Sequence, residues 1–284
     1  MNHTMTFLGV NDIFANGIDQ FHTNVWIENE DKKAILIDCG TDAKVSIAKA
    51  GKKVEDLEAV YISHLHGDHC SLEWLGYYSF FKLGRKLRLF IDIDLVDKLW
   101  RMLSPSMSNV SGHFMVLHDY FDVVPIRSFD YPYFDWDDID FVVIPVPHIK
   151  SRWGERNWIY SYGLSFGDEY SSSMFWLTTD TCVANYAKQK HWCDYSANQE
   201  GLFKDYSWNY HEYRTIFHDC CFNMAAVKTE DLVHSTYNSL ANFPDEIKSK
   251  IWLVHHPTIT KNMYDMAEED GFRGFLRRGK TFKF

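Results

Sequence analysis

Apolar residues along this chain fall at two spacings. The opening MTFLGV alternates with a period of two, as a half-buried strand does. TNVWIE, the polar NEDKK and AILIDCG follow as strand, turn and strand. From Thr41, a candidate N-cap, TDAKVSIAKAG changes to helical spacing and stops at Gly51. AVYIS is a short apolar run suited to a buried strand, and SLEWLGYYSFFKLG reads as a helix. LRLFID predicts a strand and LVDKLWRML a helix. Between Ser104 and Asp140 the pattern breaks into loops and short strands rich in Tyr, Phe and Asp. DFVVIPVPH, YSYGLSF and SMFWLTTD predict further strands, while residues 182–214 are mixed and dense in Tyr and Trp. RTIFHDC reads as a strand, TEDLVHSTYNSLANFP as a loop entering a helix, and KIWLVHH as the last strand. Hairpin-like strands first, then alternating strands and helices, predict a layered α/β domain with helices outside stacked sheets. No internal repeat or Pro/Gly-rich linker divides residues 1–284, which are read as a single domain.

Composition narrows the class. The chain has 284 residues, 46% of them hydrophobic, enough for a sizeable core. No apolar run reaches the length that crosses a bilayer, and MNHTMTFLGV lacks a basic segment followed by an apolar stretch. A cytoplasmic protein is expected. Cys39, Cys70, Cys182, Cys193, Cys220 and Cys221 show no CxxC spacing, so reduced thiols are expected. A net charge of −10 argues against long nucleic acid as the main partner. The basic KLGRKLR (82–88) reads as a solvated turn.

The chemistry concentrates in VYISHLHGDHC, Val60 to Cys70, where an apolar run ends in His64, His66, Asp68 and His69. Loops leaving a rigid strand are where reactive side chains tend to sit. Imidazole and carboxylate donors suit zinc and related divalent ions. His64 and His66 point the same way by the period of two, and Asp68 and His69 follow as the chain turns. Two donor pairs on one loop suggest two neighbouring metals. Other apolar runs end in donors as well: VVIPVPHIK in His148, FWLTTDT in Asp180, and IWLVHHP in His255 and His256. AILIDCG ends in Asp38, expected to hydrogen-bond backbone beneath the site.

This succession resembles the five motifs of the metallo-β-lactamase superfamily: Asp38, the HxHxDH run 64–69, His148, Asp180 and the histidine of the last strand. The resemblance implies an αββα sandwich. It also implies that His64, His66 and His148 hold one metal, that Asp68, His69 and the final histidine hold the other, and that Asp180 bridges. The final motif laid on IWLVHHP selects His255. IFHDCCF and VHST further resemble the HEATF…HST pair of the tRNase Z-like branch. That likeness makes His234 a proton donor oriented by Asp219, with Asp replacing the usual Glu. His218 reads as a structural hydrogen-bonder at a strand end. The glycine that often follows the DH in that family is missing from CSLEWL.

Two divalent ions, zinc first with manganese as the alternative, would favour phosphodiester hydrolysis. Asp68 binds a metal and orients the attacking water, and His234 helps the leaving oxygen depart. No basic arm for tRNA is visible, whereas Tyr, Phe and Trp are plentiful in 104–140 and 182–214, suited to stacking a base or covering a dimer face. The compact chain and its ending GFRGFLRRGKTFKF look like the phage anti-Pycsar family. That resemblance implies a homodimeric phosphodiesterase acting on small cyclic mononucleotides such as cCMP, cUMP, cAMP and cGMP, in the host cytoplasm if phage-encoded, and so blunting host immunity. A tRNase Z-like RNA endonuclease and a lactone or thioester hydrolase are the alternatives. A non-catalytic module is disfavoured because every ligand position is filled.

Overall fold

The computed structural model describes residues 2–110, 112–150, 158–167, 174–186, 210–222 and 232–284. In chain order its elements are β1 (Thr4–Gly9), β2 (Asn24–Glu28), β3 (Ala34–Ile37), α1 (Ala43–Lys49), β4 (Leu57–Ile62), α2 (Glu73–Tyr78), β5 (Leu87–Asp92) and α3 (Ile93–Met107). Then come β6 (Asn109–Val110), β7 (His113–Phe114), α4 (Leu117–Tyr120), β8 (Phe121–Ile126), β9 (Tyr133–Trp136), β10 (Ile139–Lys150), β11 (Trp158–Phe166) and β12 (Phe175–Leu177). The chain closes with β13 (Thr215–Asp219), α5 (Tyr237–Ala241), α6 (Asp245–Lys248), β14 (Ile251–Val254), α7 (Lys261–Glu269), β15 (Gly274–Phe275) and β16 (Thr281–Lys283).

The chain forms two compact units, one of residues 1–137 with 277–284 and one of 138–276. In the first, a sheet runs β16-β1-β2-β3-β4-β5-β8. β1 to β3 pair antiparallel, and β3, β4, β5 and β8 run parallel. The central strands are apolar on both faces: Val60, Tyr61 and Ile62 are fully buried, as are Ile35 and Leu36. Phe134 on β9 stacks on Tyr61 and Phe90. α3 starts at Asp92, whose carboxylate caps Asp94 N at 2.9 Å, and buries Leu95, Leu99, Leu103 and Met107 at helical spacing. In the second unit the strand order is β15-β14-β13-β12-β11-β10. β12 to β15 run parallel over a core that includes Trp176, Tyr210, Ile216, Leu240 and Leu253.

Most predicted elements are present, with specific differences. α1 begins after Asp42, not Thr41, and the Asp42 carboxylate accepts from His22 N at 2.9 Å instead of capping the helix. The helix after the histidines is α2 followed by a π-helical turn over Ser79–Leu83, which ends at Gly84 with φ +61°. KIWLVHH is not the last strand: α7, β15 and β16 follow, and β16 pairs with β1 at the other end of the chain. In the 104–140 stretch Tyr120, Phe121, Phe134 and Trp136 are core, leaving Phe114, Tyr131 and Tyr133 exposed. Tyr210 and Tyr213 are core too, and residues 187–209 of the second aromatic stretch lie outside the described residues. Arg85 of the basic turn donates to the carbonyls of Glu55 and Leu57, and the Arg88 guanidinium lies over Phe90. The five described cysteines are free thiols. Among the described residues no helix is long and apolar enough to cross a membrane.

Candidate metal centre

β4 ends at Ile62, and the next seven residues carry the first donor cluster. Asp38, just beyond β3 with φ +61°, sits beneath it and is buried. Its Oδ1 accepts from Ser63 N at 2.8 Å, and its Oδ2 accepts from Ser63 Oγ at 2.8 Å. The same Oδ2 lies 2.7 Å from His69 Nδ1. A carboxylate only accepts, so His69 Nδ1 carries the proton and Nε2 carries the lone pair. Ser63 has given its one proton to Asp38, so the His64 Nδ1 found 3.1 Å from Ser63 Oγ is a donor as well. Its Nε2 therefore also presents a lone pair. The expected role of Asp38 holds, and it extends to fixing the tautomers of two histidines.

The loop is folded back by main-chain bonds: Cys39 N to His69 O at 2.8 Å, Thr41 N to Gly67 O at 3.1 Å, and Ser71 N to Cys39 O at 2.6 Å. Gly40 allows this closeness, because a Cβ there would stand 2.1 Å from Asp68 O. The His64 ring lies 4.7 Å from that of His66 and 4.4 Å from that of His69, centroid to centroid. Asp68 Oδ2 is 3.7 Å from His69 Nε2. All four donors predicted on this loop are thus brought together. Burial pushes the thiols of the flanking Cys39 and Cys70 well above their ordinary range, which favours their protonated forms.

The second unit gathers His148, Asp180, Asp219, His234 and His255. His148 is not at a strand end: β10 continues to Lys150, and the register with β11 shifts between Pro147 and Ile149. A bulge re-aims a side chain without ending the strand, which is how His148 is presented. Its Nδ1 donates to Val233 O at 2.8 Å, leaving the Nε2 lone pair 3.9 Å from Asp180 Oδ2. His255 follows β14 with φ +52°, and its Nε2 is 3.4 Å from Asp180 Oδ1. His256 points elsewhere, its ring nitrogens facing the carbonyls of Pro257 and Leu276. Burial holds its pKa below the ordinary value. A buried carboxylate faced by the lone pair of His148 is unfavourable unless a cation or proton stands between them. The donor set therefore fits a divalent ion.

Asp219, Asp180 and His234 form a further cluster, each offering a ligand atom within 4.8 Å of the others. His234 is partly exposed, and its Nδ1 lies 3.0 Å from Asp219 Oδ2. That oxygen also accepts from Thr181 N at 2.7 Å. Complete burial raises the Asp219 pKa, an effect that His234 offsets and Asp180 adds to. His218 is fully buried, with Nδ1 on Asp219 O at 2.7 Å and Nε2 on Tyr210 OH at 2.9 Å. Burial pushes its pKa down to about 4, so it is neutral and structural. The sequence reading passed over Ser63, Thr178, Thr179 and Tyr210, which hold these groups in place.

Comparison with known proteins bears on the family and the fold. An Anti-Pycsar protein Apyc1 of Paenibacillus sp. (strain J14) is 28% identical over 281 residues, covering 98% of each chain. A protein of the same name from Bacillus phage 010DV004 is 25% identical over 296 residues, covering 99% of each. Among solved structures, the metallo-β-lactamase fold protein YhfI from Bacillus subtilis aligns with a TM-score of 0.65 at 14% identity, over 100% of this chain and 99% of that one. The short form of human tRNase Z aligns with a TM-score of 0.61 at 16% identity, over 98% of both. The chain has the metallo-β-lactamase fold. The family model described as Anti-Pycsar protein Apyc1 matches residues 3–282, and the chain belongs to that family.

Proposed function

We propose that this family member is a dinuclear metal-dependent phosphodiesterase that opens cyclic mononucleotides such as cCMP, cUMP, cAMP and cGMP, and that both units act as one domain. The observation that carries the reading is the Asp219–His234 pair beside Asp180, a carboxylate-held imidazole next to a donor set suited to cations. His64, His66 and His148 would hold one ion, Asp68, His69 and His255 the other, and Asp180 both, with zinc the first candidate and manganese the second. Such ions, when bound, supply positive charge to phosphoryl oxygens and lower the pKa of water. Asp68 orients the attacking water. His234 gives its Nδ1–H to Asp219, so the proton it can pass on is the second one, carried on Nε2 in the imidazolium form. As the bond from phosphorus to the ribose oxygen breaks, that proton passes to the departing oxygen. A ribose alkoxide is a poor leaving group, and general acid help of this kind contributes about 10²–10⁴ in rate. A small cyclic phosphate needs no basic arm, in keeping with a net charge of −10. The role follows from the substrate: removal of a cyclic-nucleotide alarm signal in the cytoplasm, that of the host if the chain is phage-encoded.

The test is a panel of 3′,5′-cyclic nucleotides and a precursor tRNA, each with and without chelator, run on wild type and His234→Ala. Cyclic nucleotides should be cleaved and the chelator should stop it. His234→Ala should lower kcat about 100-fold or more on cyclic nucleotides. It should lower it far less on a p-nitrophenyl phosphodiester, whose leaving group departs without a proton. Equal losses on both would make His234 a phosphate-positioning group. Rapid cleavage of the tRNA beside inert cyclic nucleotides would move the protein to the endonuclease reading.

A further inference from the structure

Thr179 has φ +54°, a left-handed conformation that a β-branched residue rarely adopts. It stands between β12 and Asp180 and is held by hydroxyls on both sides. Thr179 Oγ1 donates to Thr178 O at 2.6 Å, while Thr178 Oγ1 donates to Thr179 O at 2.9 Å. Each threonine has then spent its one proton. The contact of 2.7 Å between Ser161 Oγ and Thr179 Oγ1 must accordingly run from Ser161 to Thr179. The 3.2 Å contact at Thr178 Oγ1 is donated by Asp219 N. Ser161 and Thr178 are fully buried, and Thr179 is nearly so. On β11, Gly163 lets the strand pass close by, since a Cβ there would meet Thr178 O at 2.9 Å.

We infer that Ser161, Thr178 and Thr179 form a hydroxyl clamp that positions Asp180 and Asp219 together. The inference rests on the reading above, in which Asp180 holds metal and Asp219 orients His234. The crossed pair of hydroxyl bonds closes the Thr178–Thr179 peptide into one left-handed turn. That turn fixes the direction in which Asp180 leaves β12. The same Thr178 hydroxyl anchors the main chain of Asp219 at the end of β13, so one group sets two carboxylates. Glycine would adopt this φ with less strain. A threonine here keeps a hydroxyl where the backbone alone would be content without a side chain.

The experiment compares Mn²⁺ and Zn²⁺ binding by chelator-stripped wild type, Thr179→Gly, Thr179→Ser and Ser161→Ala, by titration calorimetry with thermal unfolding of the metal-free proteins alongside. Thr179→Gly should stay folded, the strain relieved at φ +54° offsetting part of the lost hydroxyl bonds, yet bind about 10-fold more weakly, the usual scale for losing a group that orients a ligand. Ser161→Ala, which leaves both threonines in place but removes the bond that supports the turn from β11, should weaken binding in the same direction. Thr179→Ser should restore wild-type affinity. Wild-type affinity in both Thr179→Gly and Ser161→Ala would overturn the clamp, as would a Thr179→Ser protein as weak as Thr179→Gly. A wild type that took up neither cation would sink the reading of the site itself, a result distinct from affinity indifferent to the hydroxyls.

Discussion

His218 provides a pH test that does not depend on metal or substrate. The ring is fully buried against Tyr210, with centroids 5.8 Å apart and planes 12° apart. Its Nδ1–H serves Asp219 O and its Nε2 accepts from Tyr210 OH, so there is no room for a second proton without breaking a bond. Burial lowers its pKa from 6.5 to about 4. Between those values the unfolded chain binds a proton that the folded chain refuses, so stability rises with pH across that window and falls as the pH drops through it. At about 1.4 kcal/mol for each tenfold change in proton affinity, the full loss is about 3 kcal/mol, most of it complete by pH 4.5. That is a large share of a typical folding free energy of about 5–15 kcal/mol. Urea unfolding of metal-free wild type and His218→Gln at pH 7.5, 6.5, 5.5 and 4.5 reads it out. The variant should start lower, having lost ring packing, and then lose about 2.5 kcal/mol less than wild type between pH 7.5 and 4.5. Other carboxylates and histidines titrate in both proteins and cancel in the difference. Parallel stability profiles would refute the assignment of a neutral, proton-excluding His218.

Further outcomes are expected. Asp68→Ala should lose hydrolysis to background while keeping its circular dichroism, because the residue supplies a buried donor and little packing; substantial turnover in a fully metallated variant would contradict that. Gly40→Ala should lower the melting temperature by several degrees and weaken metal uptake together, because its methyl group would displace Asp68 O and the loop behind it, overpacking of a kind that costs about 1–3 kcal/mol; calorimetry of the metal-free and metal-bound forms checks both. Light scattering should give twice the 33.5 kDa chain mass, as expected for a homodimer; 33.5 kDa itself would end that expectation.

The legible and illegible parts of this site differ in physical kind. His64, His66, Asp68 and His69 were readable because donors at the end of an apolar run are chemically conspicuous, and the loop holding them is local in sequence. Choosing His255 over His256 needed the family motif; in the structure, the turn at His255 sends its ring toward Asp180 and the next ring toward the main chain. His148 was found by type but misplaced by geometry. A bulge is a mismatch between two strands, and the residues of β10 alone do not show that β11 pairs on past it as far as Lys150 with Trp158. The C-terminal strand failed for the same reason: the partner that makes β16 a strand is β1, at the far end of the chain.

The residues passed over altogether are hydroxyls. Ser63, Ser161, Thr178 and Thr179 belong to types that fill turns and strands everywhere, and nothing in a run such as FWLTTDT separates a threonine facing solvent from one locked in a left-handed turn. Their importance lies in proton counting. Each hydroxyl has one proton, and once Asp38 claims that of Ser63 and the Thr178 carbonyl claims that of Thr179, the direction of every neighbouring bond is fixed. In the first unit that count decides which nitrogen of His64 presents its lone pair, and in the second it ties Asp180 and Asp219 to one threonine pair. The donors could be read from residue type, but the tautomers of His64, His69 and His148 are set by Ser63, Asp38 and the Val233 carbonyl, contacts that residue type does not show.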